Sequence, residues 1–123
     1  MHEGVNRMNN NLSIAYDYAL DIYKFIEEYI NVIETLTNSN QKIRLQENVI
    51  NYELIYKNID IYFYNDYYNI YIDYISDEQI ERVSKYTYFC FEFKKRDDDI
   101  IYMSLVNDYK SIENLKSIIM EIV

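Results

Sequence analysis

Several residue types are scarce or missing in this chain of 123 residues. It has no proline or tryptophan, and it has one glycine, one cysteine and one histidine. The single cysteine, Cys90, excludes an intrachain disulfide and is typical of a protein in a reducing compartment. The only histidine, His2, lies in a polar N-terminal segment, which excludes a histidine general base and a multi-histidine metal site.

Long apolar runs are missing as well. No stretch approaches roughly 18 consecutive apolar residues, the length that spans a membrane, and no signal-peptide pattern is present. We therefore expect a soluble protein in the cytoplasm, which would be the host cytoplasm if the gene belongs to a phage or virus. We find no catalytic, metal or nucleotide motif, so we expect no metal, no cofactor and no enzymatic activity.

Basic residues are outnumbered. Twelve lysines and arginines stand against 21 aspartates and glutamates, and the formal net charge is −9. Such a charge disfavours direct binding to nucleic acid and to an anionic membrane, because both require neutralisation of phosphates. The partner that the charge favours is a basic protein surface.

Isoleucine, tyrosine and asparagine dominate the composition, with 20, 16 and 14 residues. All three have A+T-rich codons, so a biased genome is one explanation of the tyrosine content. Such a bias would suit a low-G+C bacterium, its phage or an A+T-rich virus. The other explanation is a binding surface, because tyrosine supplies large, rigid, amphipathic contact area.

The stretch from Ile59 to Ile75 predicts a β-hairpin. Two strictly alternating runs flank Asn65-Asp66, which tolerate the left-handed backbone of tight hairpin turns. A two-residue loop there sets Tyr64 opposite Tyr67, and a slip by one residue would mix the two faces. The predicted pairs are Phe63–Tyr68, Ile61–Ile70 and Ile59–Ile72. The predicted core residues are Ile59, Ile61, Phe63, Ile70 and Ile72. The predicted opposite face is Asp60, Tyr62, Tyr64, Tyr67, Asn69, Tyr71 and Asp73, in which the two aspartates are diagonal neighbours roughly 7–8 Å apart.

The remaining elements follow from periodicity and capping signals. In chain order they are a disordered tail (1–10), a long helix (11–36), a strand (49–56), a short helix (77–85), strands near 87–93 and 101–105, and a final helix (109–122). Residues 41–58 fit a helix as well as a strand. The predicted fold is one α+β domain over 11–123, with an antiparallel sheet of four to five strands made of two hairpins and a short helix between them. In the second hairpin, Phe93 is expected to pair with Ile101.

The long first helix is apolar on more than one side. Leu12, Ala15, Ala19, Ile22, Ile26, Tyr29, Ile33 and Leu36 form one seam, with Asn11 or Ser13 as its cap. Further apolar residues surround this seam, which predicts burial against the sheet or, as an alternative, contact with a partner helix in a homodimer.

A lone thiol and several groups of acidic residues are also candidates for chemistry, but each has a simpler structural interpretation. Cys90 has no histidine to activate it and is expected to pack on a strand. The run 97–99, with three aspartates, lacks the spacing of a calcium loop and is expected to be a solvated turn. Paired carboxylates, Asp60 with Asp73 or Asp77 with Glu78, would need a pocket to perform acid–base catalysis.

The charge distribution identifies the candidate site. From Asn58 to Glu81 there is no lysine or arginine, whereas six acids and six tyrosines lie there. Carboxylates between tyrosines suit an arginine- and lysine-rich partner through charge-assisted hydrogen bonds and cation–π contacts. The predicted partner-binding residues are Asp60, Tyr62, Tyr64, Asp66, Tyr67, Asn69, Tyr71, Asp73, Asp77, Glu78 and Glu81. Replacing Asp60 and Asp73 with lysine is expected to weaken partner binding and leave the melting temperature nearly unchanged.

These features favour a non-enzymatic inhibitor that occupies a basic, nucleic-acid-binding surface of another protein and mimics the polyanion. In size, charge and composition the chain resembles small phage-encoded anti-defence proteins such as anti-CRISPRs, which share no common fold. The resemblance implies a nuclease or CRISPR effector as partner and carries no residue over. The alternatives are an immunity protein that neutralises a basic toxin, a homo-oligomeric structural protein that uses the first helix, and a small-ligand binder with a tyrosine-lined pocket between helix and sheet.

Overall fold

The computed structural model describes residues 12–37, 43–86, 90–96 and 100–123. They form α1 (Ser13–Thr37), β1 (Arg44–Glu47), β2 (Tyr52–Tyr56), β3 (Ile59–Phe63), β4 (Tyr67–Ile72), α2 (Asp77–Ser84), β5 (Cys90–Arg96), β6 (Ile100–Val106) and α3 (Tyr109–Ile122). This is the predicted α+β fold. The predicted tail (1–10) and the acidic run (97–99) lie outside the described residues.

The six strands that the structure describes form one antiparallel sheet in the order β1-β2-β3-β4-β6-β5. The sheet has one strand more than predicted, because the ambiguous segment 41–58 contributes two strands that pair with each other. The two predicted hairpins are joined where β4 pairs with β6, with Ile70 opposite Met103. The hairpin of β3 and β4 therefore lies in the middle of the sheet.

The register of the central hairpin is confirmed. Phe63 pairs with Tyr68, Ile61 with Ile70, and Ile59 with Ile72. The five residues predicted to be core have no exposed surface. Full burial of one such side chain stabilises the fold by about 1.5–3 kcal/mol, so this register is strongly favoured over a slip that would expose them.

The turn of this hairpin differs from the prediction. Neither Asn65 nor Asp66 has a positive φ. The turn is instead held from outside, since the Asn65 side-chain oxygen accepts a hydrogen bond from the Ala15 backbone N–H at 3.0 Å. The Asn107 side-chain amide donates to the carbonyls of Tyr64 and Asn65. These long-range contacts with α1 and the segment before α3 replace the local left-handed geometry.

The chain reverses its alternation after β4. Tyr74 has a φ of 54°, a left-handed conformation that costs a non-glycine residue about 1–2 kcal/mol. As a result Tyr74 is 85% exposed, whereas the next residue, Ile75, is fully buried. The conformation therefore brings Ile75 into the core although it lies out of phase with the strand.

The predicted register of the second hairpin is wrong by two residues. Phe93 lies opposite Met103, and Ile101 lies opposite Lys95. A bulge between Cys90 and Glu92 adds one residue to β5, so Cys90 faces the same side as buried Leu105. A bulge changes which side chains share a face, and strict alternation in a sequence does not predict it.

The helices cover one face of the sheet. Small and apolar residues of α1, namely Leu12, Ala15, Ala19, Ile22, Ile26 and Ile30, pack into the same core as the strands. The predicted seam is correct through Ile26, after which Ile30 is buried and Tyr29 is only half-buried. The side chains of Ile33 and Leu36 lie outside the described part of the structure. None of the helices in the described ranges is long and apolar enough to span a membrane.

Side chains and a backbone carbonyl cap the helices. The predicted capping box of α2 is confirmed, with the Gln79 backbone N–H donating to the Ser76 hydroxyl at 3.1 Å. Asp108 caps α3 by accepting from the Ser111 backbone N–H at 2.8 Å. At α1 the Leu12 carbonyl accepts the first helical bond from Tyr16, so Ser13 is the first helical residue and not the cap.

Candidate binding face

One face of the sheet points away from all the described helices. Burial alternates along β2, β3 and β4, and the fully buried residues face α1 and α3. The side chains of the other set lie side by side because antiparallel partners share a face. We call this surface the tyrosine face. Its residues are Glu53, Ile55, Asp60, Tyr62, Tyr64, Tyr67, Asn69, Tyr71, Tyr102 and Ser104.

Five tyrosine rings form two contacting groups on this face. The ring of Tyr71 lies 5.9 Å from that of Tyr62, edge-on, and 4.9 Å from that of Tyr102. Tyr64 and Tyr67 stack at 4.6 Å across the end of the hairpin. Such ring contacts contribute about 0.5–1.5 kcal/mol each beyond area burial and restrict the side chains. The face therefore presents preorganised aromatic surface with hydroxyl groups.

Asp60 lies in the middle of this face and has unusual electrostatics. Burial, then the neighbouring Glu53 carboxyl and, to a smaller extent, Asp73 together raise the pKa of its carboxyl from an ordinary value of 3.8 to about 7. The Tyr62 hydroxyl donates a hydrogen bond to Asp60 Oδ2 at 3.2 Å, and this bond lowers the pKa of Asp60. Oδ1 is buried and accepts no hydrogen bond from the described residues. The ionised form of Asp60 is thus poorly compensated within the fold.

Further polar groups on the face are fixed by their neighbours. Burial, followed by the Glu53 and Asp60 carboxyls, raises the pKa of the Tyr62 hydroxyl, which therefore remains a donor at neutral pH. The Ser104 hydroxyl donates to Asn69 Oδ1 at 2.7 Å. Among the side chains that the structure describes, the basic ones on this side of the sheet are at its two edges, Arg44 on β1 and Lys94 on β5. Lys94 pairs with Glu92 at 3.0 Å. The centre is acidic and aromatic.

The structure brings most of the predicted binding residues together. Asp60, Tyr62, Tyr64, Tyr67, Asn69 and Tyr71 share the tyrosine face, and exposed Asp73 lies at its rim, close enough to act on the pKa of Asp60. Asp66 is exposed at the hairpin turn.

Three predicted residues lie elsewhere. Asp77, Glu78 and Glu81 are exposed on α2, which packs against α3 on the helical side of the sheet. They form a separate acidic patch, since the chain turns away from the sheet after Tyr74.

Sequence reasoning missed four residues of the face. Glu53 and Ile55 come from β2, whose conformation was ambiguous, and Tyr102 and Ser104 come from β6. The alternation of β6 places Tyr102 and Ser104 opposite its apolar row, which was a usable signal. No local pattern, however, indicates that β6 pairs with β4, whose partner residues are 29 to 39 positions apart in the sequence.

Cys90 lies on strand β5, as predicted. Cys90 is half-buried, and burial raises the pKa of its thiol to about 11, the opposite of an activated nucleophile. Within residues 12–37, 43–86, 90–96 and 100–123, no group of three or more histidine, cysteine, aspartate or glutamate side chains is arranged to hold a metal ion.

Comparisons with known proteins add no family. No protein-family model matches the chain, and no curated protein matches it. We therefore infer the function from the geometry and chemistry of the tyrosine face.

Proposed function

We propose that this protein is a non-enzymatic binding protein whose tyrosine face occupies a basic surface of a partner protein in the cytoplasm. The observation that carries the proposal is the poorly compensated carboxylate of Asp60, whose buried Oδ1 accepts no hydrogen bond from the described residues. It lies beside Glu53 and among the tyrosine rings at the centre of the face.

The chemistry of the face suits arginine-rich partners. A guanidinium group pairs with carboxylates through charge-assisted hydrogen bonds and stacks on aromatic rings, and this face offers both within one patch. A cationic side chain near Asp60 would supply the compensation that the fold does not. Tyrosine and arginine are also the residue types that most often dominate binding energy at protein interfaces.

The partner we propose is a nucleic-acid-binding protein, such as a nuclease or CRISPR effector. Its groove would be basic because it neutralises phosphates. Glu53, Asp60 and Asp73 would take the place of phosphates there, and the tyrosine rings would take the place of stacked bases. The chain would then act as a competitive inhibitor. Its own charge of −9 supports the absence of direct nucleic-acid binding.

Competition tests this proposal. A basic protein captured by the immobilised chain is titrated with its own labelled nucleic acid, with and without saturating amounts of the chain. If both ligands need the same surface, the apparent dissociation constant for nucleic acid should rise at least about tenfold, or 1.4 kcal/mol. An unchanged affinity at saturation would contradict competitive inhibition. A toxin nuclease as the captured protein would indicate the immunity variant of the same mechanism.

A second candidate function is self-association through α1. Ile14 is 48% exposed and Val32 is 63% exposed, so the outer side of this helix carries apolar surface. A homo-oligomeric structural protein would bury it. Sedimentation equilibrium at high protein concentration separates the two proposals, because a strict monomer is incompatible with the structural role.

A further inference from the structure

A cleft of about 350 Å³ lies between the first turns of α1 and the hairpin of β1 and β2. It is lined by Ser13, Tyr16, Asp17, Glu47 and Tyr52. Tyr52 is buried on the helical side of the sheet, so this cleft is separate from the tyrosine face. Its volume falls within the range of small-ligand sites, about 300–1,000 Å³.

Local structure brings the lining residues together. Positions 13, 16 and 17 lie on one side of α1, because residues three and four apart are neighbours on a helix. Glu47 pairs directly with Tyr52 across the two strands. The turn between them is fixed by Asn48, whose backbone N–H and side-chain amide donate to the Asn51 carbonyl and side chain, each at 2.8 Å.

The two tyrosine rings form the apolar part of the cleft. The ring centroids of Tyr16 and Tyr52 are 5.2 Å apart, and the ring planes are inclined at 55°. The two rings therefore meet like the walls of a corner. The Tyr52 hydroxyl hydrogen-bonds to the Glu47 carboxylate, and burial followed by that carboxylate raises the pKa of Tyr52 to about 12. At neutral pH the hydroxyl is therefore a donor that orients Glu47.

Among the described residues, the lining carries two carboxylates and no basic side chain. Asp17, Glu47 and Ser13 could hold a divalent metal only together with several waters, and a metal would leave the two tyrosine rings unused. An organic cation fits better, because aromatic rings attract cations and carboxylates accept their N–H groups.

We propose that this cleft binds a primary ammonium group, with Asp17, Glu47 and the Ser13 hydroxyl accepting its three N–H donors and the Tyr16–Tyr52 corner covering the adjacent methylene groups. Two sources share this chemistry: a free small amine and the lysine side chain of another protein. The site does not depend on the function of the tyrosine face, so either proposal can fail without the other.

The test is an NMR titration of the ¹⁵N-labelled protein with n-butylammonium chloride. The amide signals of the lining residues should shift and saturate, whereas n-butanol and sodium chloride at equal concentration should not reproduce the change. Shifts that grow linearly, or that sodium chloride reproduces, would show only general screening of an acidic protein and would overturn the proposal.

Matched variants sharpen the titration. Asp17→Asn and Glu47→Gln should each weaken butylammonium binding by about threefold to fivefold, the range of an exposed ion pair. Glu27→Gln removes the same charge from an exposed position on α1 outside the cleft and should leave binding unchanged. Equal weakening by all three variants would contradict a defined site. Circular dichroism confirms that each variant is folded.

A comparison with Nα-acetyl-lysine amide distinguishes the two sources. If the lysine derivative binds more tightly than butylammonium, the natural ligand is a lysine side chain of a protein. If it binds equally or less tightly, the ligand is a free amine. If neither compound gives saturable shifts, the proposal is wrong.

Discussion

Replacing Asp60 with asparagine is expected to stabilise the protein at neutral and alkaline pH. Asparagine has nearly the same shape but no charge to bury beside Glu53. In the folded protein the pKa of Asp60 is raised from 3.8 to about 7. Between these two values the native state binds more protons than the unfolded chain, so the free energy of unfolding falls as pH rises through that window. The Asp60→Asn variant has no carboxyl group at this position, so it does not lose this stability as the pH rises.

The magnitude follows from the pKa shift. Taken in full, a change from 3.8 to about 7 corresponds to about 4 kcal/mol, at 1.36 kcal/mol per pKa unit. Asp60 is only partly buried, so solvent screening reduces the contribution to about 1–2 kcal/mol. The gain in the free energy of unfolding of Asp60→Asn over the wild type should be near zero at pH 4 and complete above pH 8. A shift of this size raises the melting temperature by several degrees in a domain of this length.

Urea denaturation followed by circular dichroism at pH values from 4 to 8.5 measures the effect. Glu27→Gln is the matched control, because it removes one exposed carboxylate from α1 and reports the general effect of net charge. The quantity to compare is the difference between each variant and the wild type at every pH. A difference for Asp60→Asn that is independent of pH, or no larger than that of the control, would refute the reasoning. The expectation that lysine at both Asp60 and Asp73 leaves the melting temperature nearly unchanged stays a prediction, which the same denaturation measurements can check.

Three further results are expected. Tyr68→Phe should destabilise the protein by about 1–3 kcal/mol in urea denaturation, because its buried hydroxyl lies 3.0 Å from the Ser111 carbonyl and 2.9 Å from the Ser111 hydroxyl; an unchanged midpoint would contradict this. Ser76→Ala should lower the free energy of unfolding by about 1 kcal/mol, because α2 loses its cap. An unchanged free energy of unfolding would contradict this. Cys90 should react with a thiol reagent far more slowly in native protein than in urea at pH 7.5, since its thiol pKa is about 11; equal rates would show an accessible thiolate.

The central hairpin shows how far local sequence determines structure. Alternation and turn length agree on one register, and a slip would expose several isoleucines, so the pairing of Ile61 with Ile70 was predictable. The α2 cap was predictable for the same reason, since Ser76 and Gln79 satisfy each other locally. Where several local signals point to the same arrangement, the sequence is sufficient.

The failures concern contacts between distant segments. The bulge in β5 changes the face of Cys90, and nothing in the local pattern reveals it. Asp73 was the expected neighbour of Asp60, yet Glu53 from β2 has the larger effect on its pKa. That contact depends on the conformation of residues 41–58, which local propensity leaves open. The composition of the tyrosine face was therefore only half predictable, because the order of strands in a sheet is a non-local property.

The most direct test of the tyrosine face uses a fluorescein-labelled nona-arginine peptide and two double variants of equal charge. Asp60→Lys with Asp73→Lys alters the face, and Glu78→Lys with Glu81→Lys alters the acidic patch on α2. Both change the formal charge by the same amount, so general electrostatic attraction falls equally. Binding of the peptide is measured by fluorescence anisotropy at physiological ionic strength. If the tyrosine face binds the peptide, the face variant should lose at least about tenfold in affinity and the α2 variant no more than about threefold. Equal losses in the two variants would contradict the claim that the tyrosine face is the binding surface.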